Sequence, residues 1–133
     1  MYEFLKDIAS SNDWGFEYAR QDYQNLYDEI EEGKVTMFCD PITTDSKFSD
    51  SGNETFSYSG KLMLLLSSDV DEDYQDKYAE YIQPLFSNSR QTLVDAFGCS
   101  NYQVTIFKTV EVINLFDQNL DGLLITYSAT LIE

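Results

Sequence analysis

The fold is decided by the stretch Tyr102-Gln-Val-Thr-Ile-Phe-Lys-Thr-Val-Glu-Val-Ile-Asn-Leu-Phe116, whose β-branched and aromatic residues favour an extended strand. The stretch is followed by a turn-rich spacer, Asp117-Gln-Asn-Leu-Asp-Gly122, and then by a second β-rich run from Leu123 to Ile132. Two β-rich runs joined by turn residues predict a hairpin with a long loop. The last third of the sequence is therefore predicted to be an antiparallel pair of strands.

A long helix is predicted immediately before this hairpin, over residues 73–97, because apolar residues recur there at helical spacing. Gly98 follows in the position where helices commonly end. Pro84 lies inside the pattern and removes one backbone hydrogen bond, so we expect it to kink or split the helix. A cluster of carboxylates precedes the helix and would oppose the positive end of its dipole. The cluster consists of Asp69, Asp71, Glu72 and Asp73.

Shorter elements are predicted in the first half of the chain. Residues 2–10 show the spacing of an amphipathic helix, and three β-rich runs follow it. These runs are 14–18, 35–39 (ended by Asp40-Pro41) and 55–66.

Two segments have no clear periodicity. Residues 19–34 fit either a helix or a loop, and the Ser-, Asp- and Gly-rich residues 43–54 predict a long, mobile loop. The element order gives a single α+β domain over residues 1–133. We expect an antiparallel or mixed β-sheet, with the short N-terminal helix and the longer Pro-kinked helix packed on one face.

The charge balance argues against binding to nucleic acid. The chain has 8 Lys and Arg against 24 Asp and Glu, a net charge of −16, and its cations are scattered singly. Binding to a duplex requires clustered Lys and Arg that displace counterions. An acidic surface would instead repel DNA, keep the protein soluble or meet a basic partner.

Catalytic chemistry is also poorly supported by the sequence. The chain has no His, which removes the usual general base, the common triads and nearly all common zinc sites. We expect no enzymatic activity and no cofactor. The two cysteines, Cys39 and Cys99, are expected to be reduced and buried, because neither a signal peptide nor a membrane-spanning apolar run is visible.

One motif is typical of a metal site. Asp117, Asn119, Asp121 and Gly122 match the first half of a calcium-binding EF-hand loop, but Ser128 stands where the bidentate Glu belongs. The flanking sequence is also predicted to be strand and not helix. We therefore interpret the motif as a hairpin turn and predict no metal ligands, keeping Asp117, Asn119 and Asp121 as the candidates if a cation does bind.

The order of the elements resembles that of a known class of protein, the small tail-terminator and neck (head-to-tail joining) proteins of tailed bacteriophages. The resemblance implies an α+β subunit that forms rings around a DNA channel and carries no catalytic residues. It is carried by the short N-terminal helix, Trp14-Gly-Phe-Glu-Tyr18, the strand closed by Asp40-Pro41, the long strand before the 73–97 helix, and Asn114-Leu-Phe-Asp-Gln-Asn-Leu-Asp-Gly122.

The leading hypothesis is therefore a structural virion protein that forms a homo-oligomeric ring at the neck or tail. It would be made and folded in the bacterial cytoplasm, and would bind copies of itself and other virion proteins but no membrane. Two alternatives remain open. One is a small acidic cytoplasmic binding module, an inhibitor or adaptor that mimics the charge of nucleic acid. The other is a divalent-cation-binding domain.

Overall fold

A computed structural model describes residues 1–18, 34–67, 73–115 and 120–132; for residues 114 and 115 it describes the backbone. The chain begins with α1 (Tyr2–Ser11), as its spacing predicts. Leu5, Ile8 and Ala9 form the buried side of this helix. Asn12 ends it by donating a side-chain hydrogen bond of 2.8 Å to the carbonyl oxygen of Ile8.

Six strands form one mixed sheet in which β1 and β2 are parallel and the other pairs are antiparallel. Their order across the sheet is β1-β2-β4-β6-β5, with β3 paired to β4 beside β2. The mixed sheet confirms the predicted α+β class. The strands are β1 (Gly15–Tyr18), β2 (Thr36–Cys39), β3 (Thr43–Phe48), β4 (Glu54–Ser67), β5 (Tyr102–Leu115) and β6 (Leu120–Leu131).

Strand β4 organises the sheet because it is long enough to pair with two strands along one edge. Its first half pairs with β3, from Phe48 opposite Glu54 to Thr43 opposite Ser59. Its second half pairs with β2. The other edge of β4 pairs with β6 over nearly its whole length, so β4 and β6 are the two central strands.

A bent helical run connects β4 to β5. It consists of α2 (Tyr74–Lys77), two π-helical segments (Tyr78–Ile82 and Leu85–Arg90) and α3 (Gln91–Gly98), and is called the long helix below. Pro84 lies between the two π-helical segments and keeps right-handed helical backbone angles. The proline therefore bends the helix without ending it, because the wider π-helical turns accommodate its missing N–H. The predicted Pro-kinked helix is confirmed.

Both helices pack on the same face of the sheet. Their buried side chains meet the inward side chains of β2, β4 and β6, and the resulting core includes Leu5, Ile8, Met37, Leu62, Leu64, Ile82, Leu85, Leu93, Phe97, Leu123 and Ile125. A smaller buried cluster, Phe38, Met63, Leu65 and Leu120, lies on the opposite face. The second half of β4 packs against apolar side chains on both faces of the sheet, which explains why the run Leu62-Met-Leu-Leu-Leu66 is apolar at every position.

The prediction of a mobile loop over residues 43–54 is wrong. These residues form β3, a tight turn and the start of β4, and every residue from Thr43 to Thr55 is exposed. Because neither face of this hairpin is buried, its sequence lacks the apolar alternation from which a strand is recognised. Backbone hydrogen bonds to β4 hold these residues in a strand, although their side chains show no strand pattern.

Two smaller predictions also need correction. The spacer between the last two strands is shorter than predicted, because Asp121 and Gly122 belong to β6 and not to a loop. Cys39 is buried as predicted, but Cys99 is exposed, since it follows the end of α3 at the surface. The predictions for residues 19–33 and for Asp69, Asp71 and Glu72 fall outside the described residues. Asp73 precedes α2 as predicted.

Candidate interaction surface

The most prominent surface feature is a hairpin, here called the arm, formed by residues 43–55. Phe48 lies beside its turn and is 68% exposed, the largest exposure among the large hydrophobic residues in the described part of the chain. The turn is well ordered by local hydrogen bonds, such as Gly52 N–H to the Ser49 carbonyl oxygen at 2.9 Å. Gly52 has a φ of +87°, which glycine adopts without steric cost. The arm thus exposes an aromatic ring to solvent beside a hydrogen-bonded turn.

A groove lies between α3 and β5 on the helix side of the sheet. Its volume is about 300 Å³, and its walls are mainly apolar. Phe97 is buried at its base and packs edge-on against two rings, with centroid distances of 6.3 Å to Phe107 and 5.0 Å to Phe4. The lining residues are Arg90, Val94, Phe97, Gly98, Tyr102, Val104 and Phe107. Such a groove is large enough for an apolar side chain.

Among the described residues that line the groove, Arg90 is the only charged one. Its guanidinium carbon lies 4.6 Å from the centroid of Phe86 and 5.3 Å from that of Phe107. Its Nε donates a hydrogen bond of 3.2 Å to the hydroxyl oxygen of Thr109. In the described part of the chain no carboxylate lies within ion-pair distance of Arg90. Ring stacking and one hydrogen bond therefore fix a cation at the groove with its terminal N–H groups available to an acid.

Acidic side chains are concentrated in the helical layer of the molecule. The opposite face of the sheet carries charges of both signs. Strand alternation places Lys61 and Lys108 on either side of Thr126 and Lys47 beside Thr55, and it places Asp45 and Glu17 on the same face. The helical layer is instead acidic. Its exposed carboxylates include Glu3, Asp7, Asp73, Asp76, Glu80 and Asp95. The helical layer is therefore acidic, whereas the opposite face of the sheet is mixed in sign, and exposed lysines on that face can pair with carboxylates of another molecule.

Of the three candidate metal ligands, Asp121 is the one that lies among the described residues. Asp117 and Asn119 lie outside the described residues, and Asp121 is completely buried within β6. The Oδ2 atom of Asp121 lies 3.6 Å from Nζ of Lys77, which is also completely buried at the start of the long helix. Within the described ranges no group of three or more His, Cys, Asp or Glu side chains converges. Asp121 therefore serves as the partner of a buried lysine, a role that sequence spacing does not reveal.

The thiol of Cys39 and the hydroxyl of Tyr127 are buried, and burial opposes the ionisation of both groups. Burial, reinforced by the charge of Asp40, raises the pKa of the Cys39 thiol to about 12. Burial likewise raises the pKa of Tyr127, whose hydroxyl has no hydrogen-bond partner within the described ranges. A thiol must ionise to act as a nucleophile, so Cys39 is not positioned for catalysis.

The difference in burial between Cys39 and Cys99 predicts that the two thiols react at very different rates with a thiol reagent at pH 8. Cys99 is exposed and should be labelled rapidly, whereas Cys39 should be labelled only after unfolding. Mass spectrometry of the native and denatured protein measures both rates. The Cys99→Ser variant is the control and should lose the fast phase alone. Rapid labelling of Cys39 in the folded protein would contradict its burial.

Comparison with known proteins does not assign the chain to a class. No protein-family model matches it, and no curated protein is significantly similar in sequence. Among the described helices none has the length and apolarity needed to cross a bilayer. Function must therefore be argued from the arm, the groove and the distribution of charge.

Proposed function

We propose that the protein is a structural subunit of a tailed-bacteriophage virion, forming a homo-oligomeric ring at the neck or tail around the DNA channel. The observation that supports this proposal best is the arm. A two-stranded hairpin with no buried face gains little stability from its own side chains. An extension that contributes so little to its own core is useful mainly as a contact to another molecule.

The charge distribution supports the same proposal. A wall of carboxylates facing a channel would repel the phosphates of passing DNA and keep it from adhering. The acidic helical layer can supply such a wall, and the exposed lysines of the opposite face, Lys47, Lys61 and Lys108, can pair with carboxylates of another subunit. We therefore propose that the exposed carboxylates of the helical layer, and not the groove beside α3, face the channel, and that the partners are copies of this chain and other virion proteins.

The native mass across a concentration series tests this proposal. Light scattering should detect a discrete species whose mass is a whole-number multiple of the 15.3 kDa chain. Electron microscopy of that species should show closed rings. A monomer at every concentration, with no assembly after other virion proteins are added, would contradict the proposal.

The acidic helical layer also favours one alternative, a cytoplasmic binding module that mimics the charge of nucleic acid. Such a module would bind a DNA-binding protein as a monomer and would be displaced by competing DNA. A ring subunit would keep its assembly when DNA is added, because its contacts do not use the channel wall. Competition by duplex DNA in the same light-scattering experiment separates the two functions.

A further inference from the structure

We propose that the groove between α3 and β5 receives Phe48 from the arm of a neighbouring copy, with Arg90 pairing with a carboxylate beside that phenylalanine. The inference rests on the proposed ring and specifies its subunit contact. The arm and the groove are two different surfaces of one chain, so their contact is heterologous. Heterologous contacts produce rings when the rotation between copies closes.

Chemical complementarity is the first argument. The groove offers apolar walls and one cation, and the end of the arm offers an aromatic ring and acids. Glu54 lies directly across the hairpin from Phe48, and Asp50 follows it in the turn. Once Phe48 enters the groove, these carboxylates reach the level of Arg90. A charge-assisted pair and a buried ring are the usual components of an interaction hot spot.

Geometry excludes the alternative that the arm fills the groove of its own chain. Strands β4 and β6 separate β3 from β5, so about three strand spacings of 4.8 Å lie between them. The two also differ in height along the sheet: Phe48 lies in the row of Glu54, whereas Phe107 lies in the row of Gly60. Since the arm is continuous with β4, it cannot fold back across this distance.

The edge of the sheet is a poorer contact surface than the groove. Strand β5 has no pairing partner on its outer side within the described residues. Its register shifts between Val104 and Ile106, and Lys108 and Glu111 are exposed farther along the strand. A bulge and edge charges are features that prevent strand addition. Side-chain docking therefore fits this molecule better than extension of the sheet.

Disulfide trapping tests the contact directly. In a Cys99→Ser background, one preparation carries Ser49→Cys, which keeps the Phe48 ring, and another carries Val94→Cys; the two preparations are mixed and oxidised. A disulfide requires Cα atoms within about 7 Å, so the mixed disulfide between positions 49 and 94, identified by peptide mass spectrometry, should form efficiently only if the arm enters the groove. A disulfide between two exposed thiols at position 49 does not count as a crosslink. Ser49→Cys mixed with Tyr74→Cys is the control, because Tyr74 is more exposed than Val94 and lies on another part of the surface.

Two substitutions test the energetics. Phe48→Ala should raise the concentration needed for assembly at least about tenfold, and Arg90→Glu should do the same. Tyr74→Ala and Lys6→Glu make the same changes on exposed residues outside the contact and should leave assembly unchanged. A mixture of the Phe48→Ala and Arg90→Glu proteins keeps one intact arm and one intact groove, so it should stop at a heterodimer.

The outcomes distinguish this contact from the ring itself. If the wild-type protein forms rings but no crosslink appears and both substitutions assemble normally, the contact is wrong and the ring stands. If the crosslink forms but the protein grows into open chains without closing, the contact stands and the ring is wrong. If the wild-type protein stays monomeric and no crosslink forms, both proposals are overturned.

Discussion

The Gly122→Ala substitution is expected to lower the free energy of unfolding by about 3 kcal/mol or more. Gly122 lies in β6 between Leu65 of β4 and Val112 of β5. A Cβ atom at this position would overlap the carbonyl oxygen of Leu64 and approach the Leu65 Cα atom to 3.0 Å. These are backbone atoms of a central strand, which cannot rotate away as a side chain can.

Urea denaturation followed by circular dichroism measures this effect. Gly98→Ala is the matched control, because a Cβ atom at Gly98 would have no neighbour within 4 Å. Alanine is also the better helix former, so this variant should keep or slightly exceed the wild-type stability. Equal stability of the Gly122→Ala and wild-type proteins would show that β4 and β6 pair differently from the arrangement described above.

Removing one member of the buried ion pair is expected to have the second large effect. Lys77→Met leaves the carboxylate of Asp121 in the core without the opposite charge of Lys77. Breaking a buried pair in this way typically lowers stability by about 3–5 kcal/mol, because the remaining charge has lost its solvation. The same reasoning applies to Asp121→Leu, which leaves the ammonium group buried.

The double variant separates the charges from the packing. Lys77→Met combined with Asp121→Leu removes both charges while filling the same space, and buried pairs replaced in this way often keep their stability. We therefore expect the double variant to be more stable than either single variant, a clear coupling in a double-mutant cycle. The surface pair between Lys34 and Asp13 is the control, because Asp13 is 98% exposed and Asp13→Asn should change nothing measurable. Additive losses would contradict the coupling.

The elements with one apolar face could be predicted from the sequence, because burial imposes a period on their residues. The long helix and strand β4, which lies beneath it, follow this rule. Their bounds agree closely with the predicted ranges 73–97 and 55–66. Residues 43–48 do not follow it, because both faces of β3 are in water. A strand held only by its backbone leaves no apolar pattern, and its polar residues are the same ones that form loops.

The candidate interaction surface was harder to predict because it depends on contacts between distant residues. Phe48 occurs in a polar run and stands out only when its exposure is known. Arg90 and Phe107 come together only because the long helix crosses β5. Asp121 was interpreted as part of a turn from its Asp- and Gly-rich neighbours, and nothing local indicates that Lys77 lies 3.6 Å away. Pairing of this kind is a property of the tertiary fold.

The position of β6 has a consequence for the order of events during protein synthesis. Strand β6 is the last described strand along the chain, yet it lies between β4 and β5 in the sheet. The ribosome therefore releases β4 well before β6, whereas β5 directly precedes β6 along the chain, and the apolar side chains of β4 must wait for β6. Contacts this distant in sequence form late and slow the folding reaction. A nascent chain lacking β6 would have neither the completed sheet nor the groove built upon it, so an incomplete chain could not present this surface to any partner.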